Sequence, residues 1–281
     1  MSRPNMSTKA LVKNISQAYV MSKYLADLCK VIGKEAYMNS AIRKEHGTGT
    51  GFFGISNTGS TDCVKERLRH ATDSLGQKFD RWQQIQFVSQ GCLGMTERNK
   101  FEHRVEHTRE CIDLFKAFEN DYIISGRNFI PNDLGIWLIE NHIVCLILQR
   151  EQRKQSFYND NKPFSKYSGA IYYQNQDISH FSLEQVKVLN KQRFANQIEE
   201  IKNFNFTSLI DHERRSLLMT KKKHTLPPID IAIKFHDNEF ELLERHYTHK
   251  LNKRTNSADK KWYCVHDTAR FNIWKNKNEK I

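Results

Sequence analysis

Among the six cysteines (Cys29, Cys63, Cys92, Cys111, Cys145 and Cys264), no two stand in a C-x-x-C pair. That spacing excludes the usual zinc ribbons and dithiol redox motifs, and scattered single thiols of this kind are expected of a cytoplasmic protein. Long apolar runs are missing as well. The longest, Leu134 to Leu148, is interrupted by Glu140, Asn141 and His142, too short and too polar for the roughly 20 residues that cross a bilayer. No apolar signal segment is seen at the start, so a cytoplasmic location and no membrane partner are expected. There is no internal repeat or low-complexity tract, no G-x-S-x-G nucleophile elbow, and no Gly-Lys-Ser/Thr phosphate loop.

What the chain does have is enough apolar and aromatic residues to fold. Apolar residues make up 38% of the 281 and aromatics 11%, well above a disordered composition. One large domain or two small ones could each bury a core at this length. The formal charge is +12, from 44 basic and 32 acidic residues, and the excess is unevenly placed. Met1 to Leu148 carries 19 basic and 16 acidic residues, Gln149 to Glu200 carries 8 and 6, and Ile201 to Ile281 carries 17 and 10. More than half the surplus therefore lies in the last third.

Periodicity predicts an α+β protein: an N-terminal helical bundle over 1–155, then a mixed, basic lobe over 156–281 with an antiparallel β-ribbon. Leu11, Ile15, Ala18, Leu25 and Cys29 recur at helical spacing up to Gly33. A loop rich in Gly, Thr, Ser and Asn is expected over Glu45 to Gly59. A second helix is expected from Cys63 to Phe87, stopped by Gly91 and Gly94, a third over Phe101 to Phe118, and a fourth over Leu134 to Gln152. In the second half, Ala170 to Tyr173 reads as a strand and Phe181 to Phe204 returns to helical period. Ile229, Ile231, Ile233 and Phe235 alternate with polar or small residues, the mark of a half-buried strand, with further strands expected over Phe240 to Tyr247 and Trp262 to Val265.

Three patterns resemble chemical motifs. Gly49-Thr50-Gly51-Phe52-Phe53-Gly54 has the glycine spacing of a phosphate-binding loop, but it follows the charged segment Arg43 to His46 and not a buried strand, so a structural loop is expected. His103-Arg104-Val105-Glu106-His107 has the order of an inverted zinc-peptidase motif, and on a helix its two histidines would share a face. A real site also needs a third ligand, normally an acidic residue on a separate downstream helix, and a match of this kind arises easily by chance among so many Glu and His residues, so no metal or other cofactor is expected. Asp230 followed by Lys234 is the nearest approach to a nuclease site, without the second carboxylate that metal-assisted cleavage needs. No convincing catalytic constellation is found.

The remaining signal is the set of cations Lys221, Lys222, Lys223, Lys234, Arg245, Lys250, Lys253, Arg254, Lys260 and Lys261, interleaved with His224, His236, His246, Tyr247, Trp262 and Tyr263. Lysine and arginine release counterions from a phosphate backbone, and a β-ribbon fits the major groove. Arg150, Arg153 and Lys154, at the end of the expected fourth helix, would form an opposite wall. The stretch Gly169-Ala170-Ile171-Tyr172-Tyr173-Gln174, followed by Leu183, Val186, Leu189-Asn190-Lys191, Arg193 and Ile198, resembles the strand and following helix of the bacterial replication-terminus-binding proteins of the Tus type. Lys221 to Phe235 is similar to that family's basic, proline-containing reading strand. The resemblance implies a sequence-specific duplex-DNA-binding protein that arrests replication forks on a bacterial chromosome or plasmid, with DNA and replication-fork proteins as partners. A metal-dependent nuclease, a zinc hydrolase using His103, Glu106 and His107, and a plasmid-maintenance interaction protein are the alternatives.

Overall fold

The computed structural model describes residues 6–40, 42–49, 63–75, 87–95, 101–153, 158–219, 262–267 and 272–276. The chain is α+β, as expected, with helices first and a strand-containing part after them. Helix α1, Met6–Ile32, buries Leu11, Ile15, Ala18, Leu25 and Leu28 along one stripe. It stops at Gly33, whose φ of 85° and ψ of 159° are open essentially to glycine alone. Helix α2, Lys34–Asn39, is followed by a π-helical segment, Arg43–Thr48, that closes at Gly49 in the left-handed conformation. The loop expected from Glu45 thus begins as helix. Helix α3 is Val64–Asp73.

The strands then interleave with helices: β1 Phe87–Ser89, β2 His103–His107, α4 Cys111–Phe118, a second π-helical segment Glu119–Ile124, α5 Pro131–Glu140 and β3 Val144–Leu148. Next come β4 Ile171–Tyr173, β5 Gln176–Asp177, α6 Leu183–Arg193, α7 Ala195–Lys202 and α8 Thr207–Met219. The strands β6 Trp262–Asp267 and β7 Asn272–Asn276 pair antiparallel as a two-stranded ribbon. Strands β1 to β5 form one mixed sheet in the order β2-β3-β1-β4-β5, in which only β1 and β3 run parallel. It draws three strands from before residue 155 and two from after it.

Strand β3, between β2 and β1, is buried on both faces. Cys145 and Ile147 join Phe87, Ile171, Tyr173, Phe164, Tyr167, Leu183 and Val186 in one buried cluster, while Val144 and Leu146 face a smaller cluster with Cys92, Val88 and Val105. This explains why the expected helix over Leu134 to Gln152 is only half right. Asn141 ends α5 by donating from Nδ2 to the Trp137 carbonyl at 2.9 Å, and a strand buried on both sides has no alternation to betray it.

Two further expectations are corrected. Only Val64–Asp73 of the Cys63 to Phe87 stretch is described as helix, and Phe87 opens a strand. Of Phe101 to Phe118, only Cys111–Phe118 is α-helix, because His103–His107 pairs along β3. Gly91 is accordingly no helix stop: a Cβ there would lie 2.2 Å from Leu148 Cδ1, so the position needs glycine for close approach. The strand at Ala170 to Tyr173, the helical period over Phe181 to Phe204, divided at Phe194, and the strand from Trp262 are as expected. The strands expected over Ile229 to Phe235 and Phe240 to Tyr247 lie outside the described residues.

The chain divides into two interleaved units: Met1–Ile15, Arg67–Ala117 and Phe129–Phe206 form one, and Ser16–Glu66, Phe118–Asn128 and Thr207–Ile281 the other. The five-stranded sheet belongs to the first and the ribbon to the second. In the second, Arg43 grips the buried Glu119 through Nε and Nη2 at 2.7 and 2.6 Å, and the Tyr37 hydroxyl donates to the same carboxylate at 2.7 Å. Each π-helical segment thereby begins at one end of this ion pair. No helix among the described residues is long and apolar enough to cross a membrane.

Candidate nucleic-acid interface

Of the thirteen cations expected at the interface, Arg150 and Arg153 fall within the described residues; Lys154 and the ten from Lys221 to Lys261 lie outside them. Arg150 and Arg153 do not end a helix. Arg150 stands on a 3-10 turn, Gln149–Glu151, at the end of β3, Arg153 lies two residues beyond that turn, and both are exposed. Among the described residues neither guanidinium has a carboxylate partner.

The turn is held by Glu151, which is 9% exposed. Its carboxylate accepts from the Ser89 hydroxyl, from the Leu148 N–H at 2.8 Å and from the Gly91 N–H at 3.2 Å. A Cβ at Gly169 would lie 2.5 Å from Glu151 Oε1, so the carboxylate occupies a cradle that two glycines leave open. The outgoing chain is tied as well: Ser168 N–H donates to the Glu151 carbonyl at 2.8 Å, and Arg153 N–H to the Lys166 carbonyl at 2.9 Å. A charge buried in this way is tolerated because three donors replace its water. The consequence is a fixed backbone under two solvated arginines.

A second cluster flanks the turn. Glu106 on β2 accepts from Arg104 Nε at 2.9 Å, Lys166 Nζ at 3.2 Å and Gln152 Nε2 at 3.3 Å, and Arg104 Nη1 donates to Gln152 Oε1 at 2.9 Å. Arg104 is exposed, on the edge strand of the sheet. Sequence reasoning placed it inside a metal motif on a helix and missed it as a surface cation; its signal was the charge alternation of an edge strand.

The strand also disposes of the metal motif. Alternation places His103 and His107 on one face and Glu106 on the other, and four strand residues separate the two imidazoles by roughly 13 Å. No single ion can bridge that span. Among the described residues, no group of three His, Cys, Asp or Glu could hold a metal ion. His107 instead meets Asp73 of α3, Nε2 to Oδ1 3.3 Å, with Arg69 Nη1 3.4 Å from the same carboxylate. Asp230 and Lys234 lie outside the described residues.

Buried polar groups behind the sheet are tuned away from chemistry. Thr108 Oγ1 lies 3.2 Å from Cys145 Sγ and 2.9 Å from the Tyr167 hydroxyl. Burial pushes the Cys145 thiol up to about 12 and the Tyr167 phenol further above its usual range. His142 is held neutral by burial, then by the nearby charge of Arg193, well below the usual imidazole value. Arg193 stacks over the rings of Phe194 and Phe87 at 4.6 and 5.2 Å, and burial lowers its guanidinium to about 10, still charged at neutral pH. A thiol held protonated is a poor nucleophile.

Comparison of the chain with protein-family models, with curated proteins and with solved structures gives no match.

Proposed function

We propose that the protein binds duplex DNA in a sequence-specific manner, as a terminus-type barrier to replication forks in the bacterial cytoplasm. The observation that carries the reading is the charge distribution: 17 basic against 10 acidic residues from Ile201 to Ile281. Phosphate neutralisation supplies most of the non-specific affinity of such a surface. Two features of the sheet unit support it. Arg150, on the turn fixed by Glu151, and Arg153, just beyond it and tied to the Lys166 carbonyl, are both exposed, and phosphate contacts of this type position a protein on its duplex. The segment that resembles the terminus-binding family forms a strand and helix, β4 and α6.

The test is fluorescence anisotropy of a labelled duplex across a salt series, joined to sequencing of DNA that copurifies with the protein. With about six phosphate contacts, affinity falls roughly a thousandfold between 50 and 200 mM salt, and one enriched site emerges from the sequencing. An affinity that ignores salt would remove DNA binding; steep salt dependence with no enriched site would leave a non-specific binder and remove the terminus role.

A further inference from the structure

Among the described residues, two that are not glycine hold a positive φ, and they are neighbours: Gln174 at 49° and Asn175 at 67°. They form the whole loop of the β4–β5 hairpin, because Tyr173 pairs with Gln176 and the Ile178 N–H donates to the Ile171 carbonyl at 2.8 Å. A two-residue loop with both residues left-handed is the hairpin turn in which Asn-Gly, Asp-Gly and Gly-Gly are favoured. Asparagine's short side chain suits that conformation; glutamine's longer one does not. Strain of this kind, kept where glycine would relieve it, marks positions whose side chains are used.

The fold itself makes no use of them. Gln174, Asn175 and Gln176 are all exposed, and none of the three amides has a hydrogen-bond partner among the described residues. Asp177, the only charge on the hairpin, is turned back onto Ser179, whose N–H and hydroxyl donate to Oδ1 at 2.8 and 2.6 Å. What the tip offers is therefore a run of primary amides, each a planar set of one acceptor and two donors. Phosphates require cations, and the tip has none. An amide matches the adenine edge in the major groove, where N7 accepts and N6 donates side by side. Successive Cα atoms lie about 3.8 Å apart and successive bases rise by about 3.4 Å, so neighbouring amides suit neighbouring bases. A tight hairpin is also narrow enough for a groove roughly 12 Å wide.

We propose that the tip of the β4–β5 hairpin is a base-reading element: Gln174 and Asn175 enter the major groove of bound duplex DNA and pair with adjacent adenines. This rests on the DNA-binding reading above and adds a source of specificity to it. Arg150 and Arg153 neutralise phosphates, whereas the uncharged tip distinguishes sequences and releases no counterion.

The test uses the full chain and a duplex library with a randomised core, captured in rounds and sequenced. The parent enriches one site that contains adjacent adenines. Q174G/N175G, which relaxes the turn, has a higher Tm by circular dichroism, selects a site degenerate at those two positions, and binds the parent's site at least about tenfold more weakly, as the loss of bidentate base contacts requires. Its affinity for the unselected library and its slope of log affinity against log salt remain those of the parent. If the variant enriches the parent's site unchanged, the reading tip is refuted while DNA binding stands; a lower Tm refutes it too, because the left-handed turn then carries no strain. If the parent binds the library but enriches no site, the tip and the sequence-specific reading fall together and a non-specific binder remains. If the parent binds no duplex, DNA binding falls with them.

Discussion

At the scale of single residues, Glu151 carries the most structural consequence. Its carboxylate serves Ser89, Gly91 and Leu148 at once, and removing it leaves three donors without an acceptor in a site too tight for ready solvation. Each orphaned buried donor costs about 1–3 kcal/mol, partly relieved by water. Glu151→Ala should therefore lose about 3 kcal/mol in urea unfolding, and a loss below about 0.5 kcal/mol would show that the turn holds itself. Cys145 makes a prediction in pH. Its thiol titrates at about 12 in the native protein against 9.0 ordinarily, so above pH 9.0 the unfolded chain gives up a proton that the native one keeps. The stabilisation is complete below 9.0 and is lost as pH rises toward 12. Tyr37, Tyr167, Cys29 and Cys63 shift in the same direction, burial being the first cause in each, so unfolding free energy should fall as pH rises above about 9 toward 12. Cys145→Ser should make that fall shallower, and an equal slope in both proteins would place the alkaline loss elsewhere.

At the scale of elements, α5 shows how a glycine can be required inside a helix. Gly135 sits mid-helix, where replacement by alanine ordinarily gains about 1 kcal/mol. Here the added Cβ would lie 2.8 Å from Ile201 Cγ2 on α7 and 2.9 Å from Ile15 Cδ1 on α1, both side chains fully buried. Overpacking of that kind costs about 1–3 kcal/mol, so Gly135→Ala should be net destabilising by about 1 kcal/mol, with a lower Tm; a higher Tm would mean that the helices separate freely. The same contrast between local preference and packing governs what the sequence reveals. Helix α1 is legible because Leu11, Ile15, Ala18 and Leu25 face one side, and α6 and α7 because Leu183, Val186, Ile198 and Ile201 do the same. Strand β3 is not, because Val144 to Ile147 are buried on both faces and carry no period. Strand β2 is hidden for another reason: its polar run, His103 to His107, takes its conformation from pairing with β3, about 40 residues away, and in isolation fits a helical metal motif equally well. The candidate interface divides in the same way. Arg150 and Arg153 are visible as cations, whereas the buried acid that fixes them depends on Ser89, 62 residues earlier.

At the scale of the whole molecule, the question is which of the 44 basic residues act on a phosphate backbone and which only decorate the surface. Pairing separates them. Lys202 and Lys187 lie 2.7 Å from Glu199 and Glu184 on the same helices, so each local field is largely cancelled and approach to a phosphate would first require breaking the pair. Arg150 and Arg153 carry no such partner among the described residues, and their backbone is fixed, so less order is lost on binding. Replacing both with alanine should weaken binding to specific and random duplexes alike and reduce the slope of log affinity against log salt by about two units, near 0.9 for each contact. Lys202→Ala should leave the slope where it was. Lys222→Ala, in the basic run before the prolines, should lower it by about one unit, while Lys234→Ala should weaken specific duplex by about 1–3 kcal/mol and random duplex little, if strand alternation turns that residue to a base edge. The slope reads counterions displaced and is insensitive to a uniform loss of folded protein, so it separates contact from damage. Equal slopes for the parent, the double arginine variant and the Lys222 variant would take the sheet corner and the basic run out of the interface.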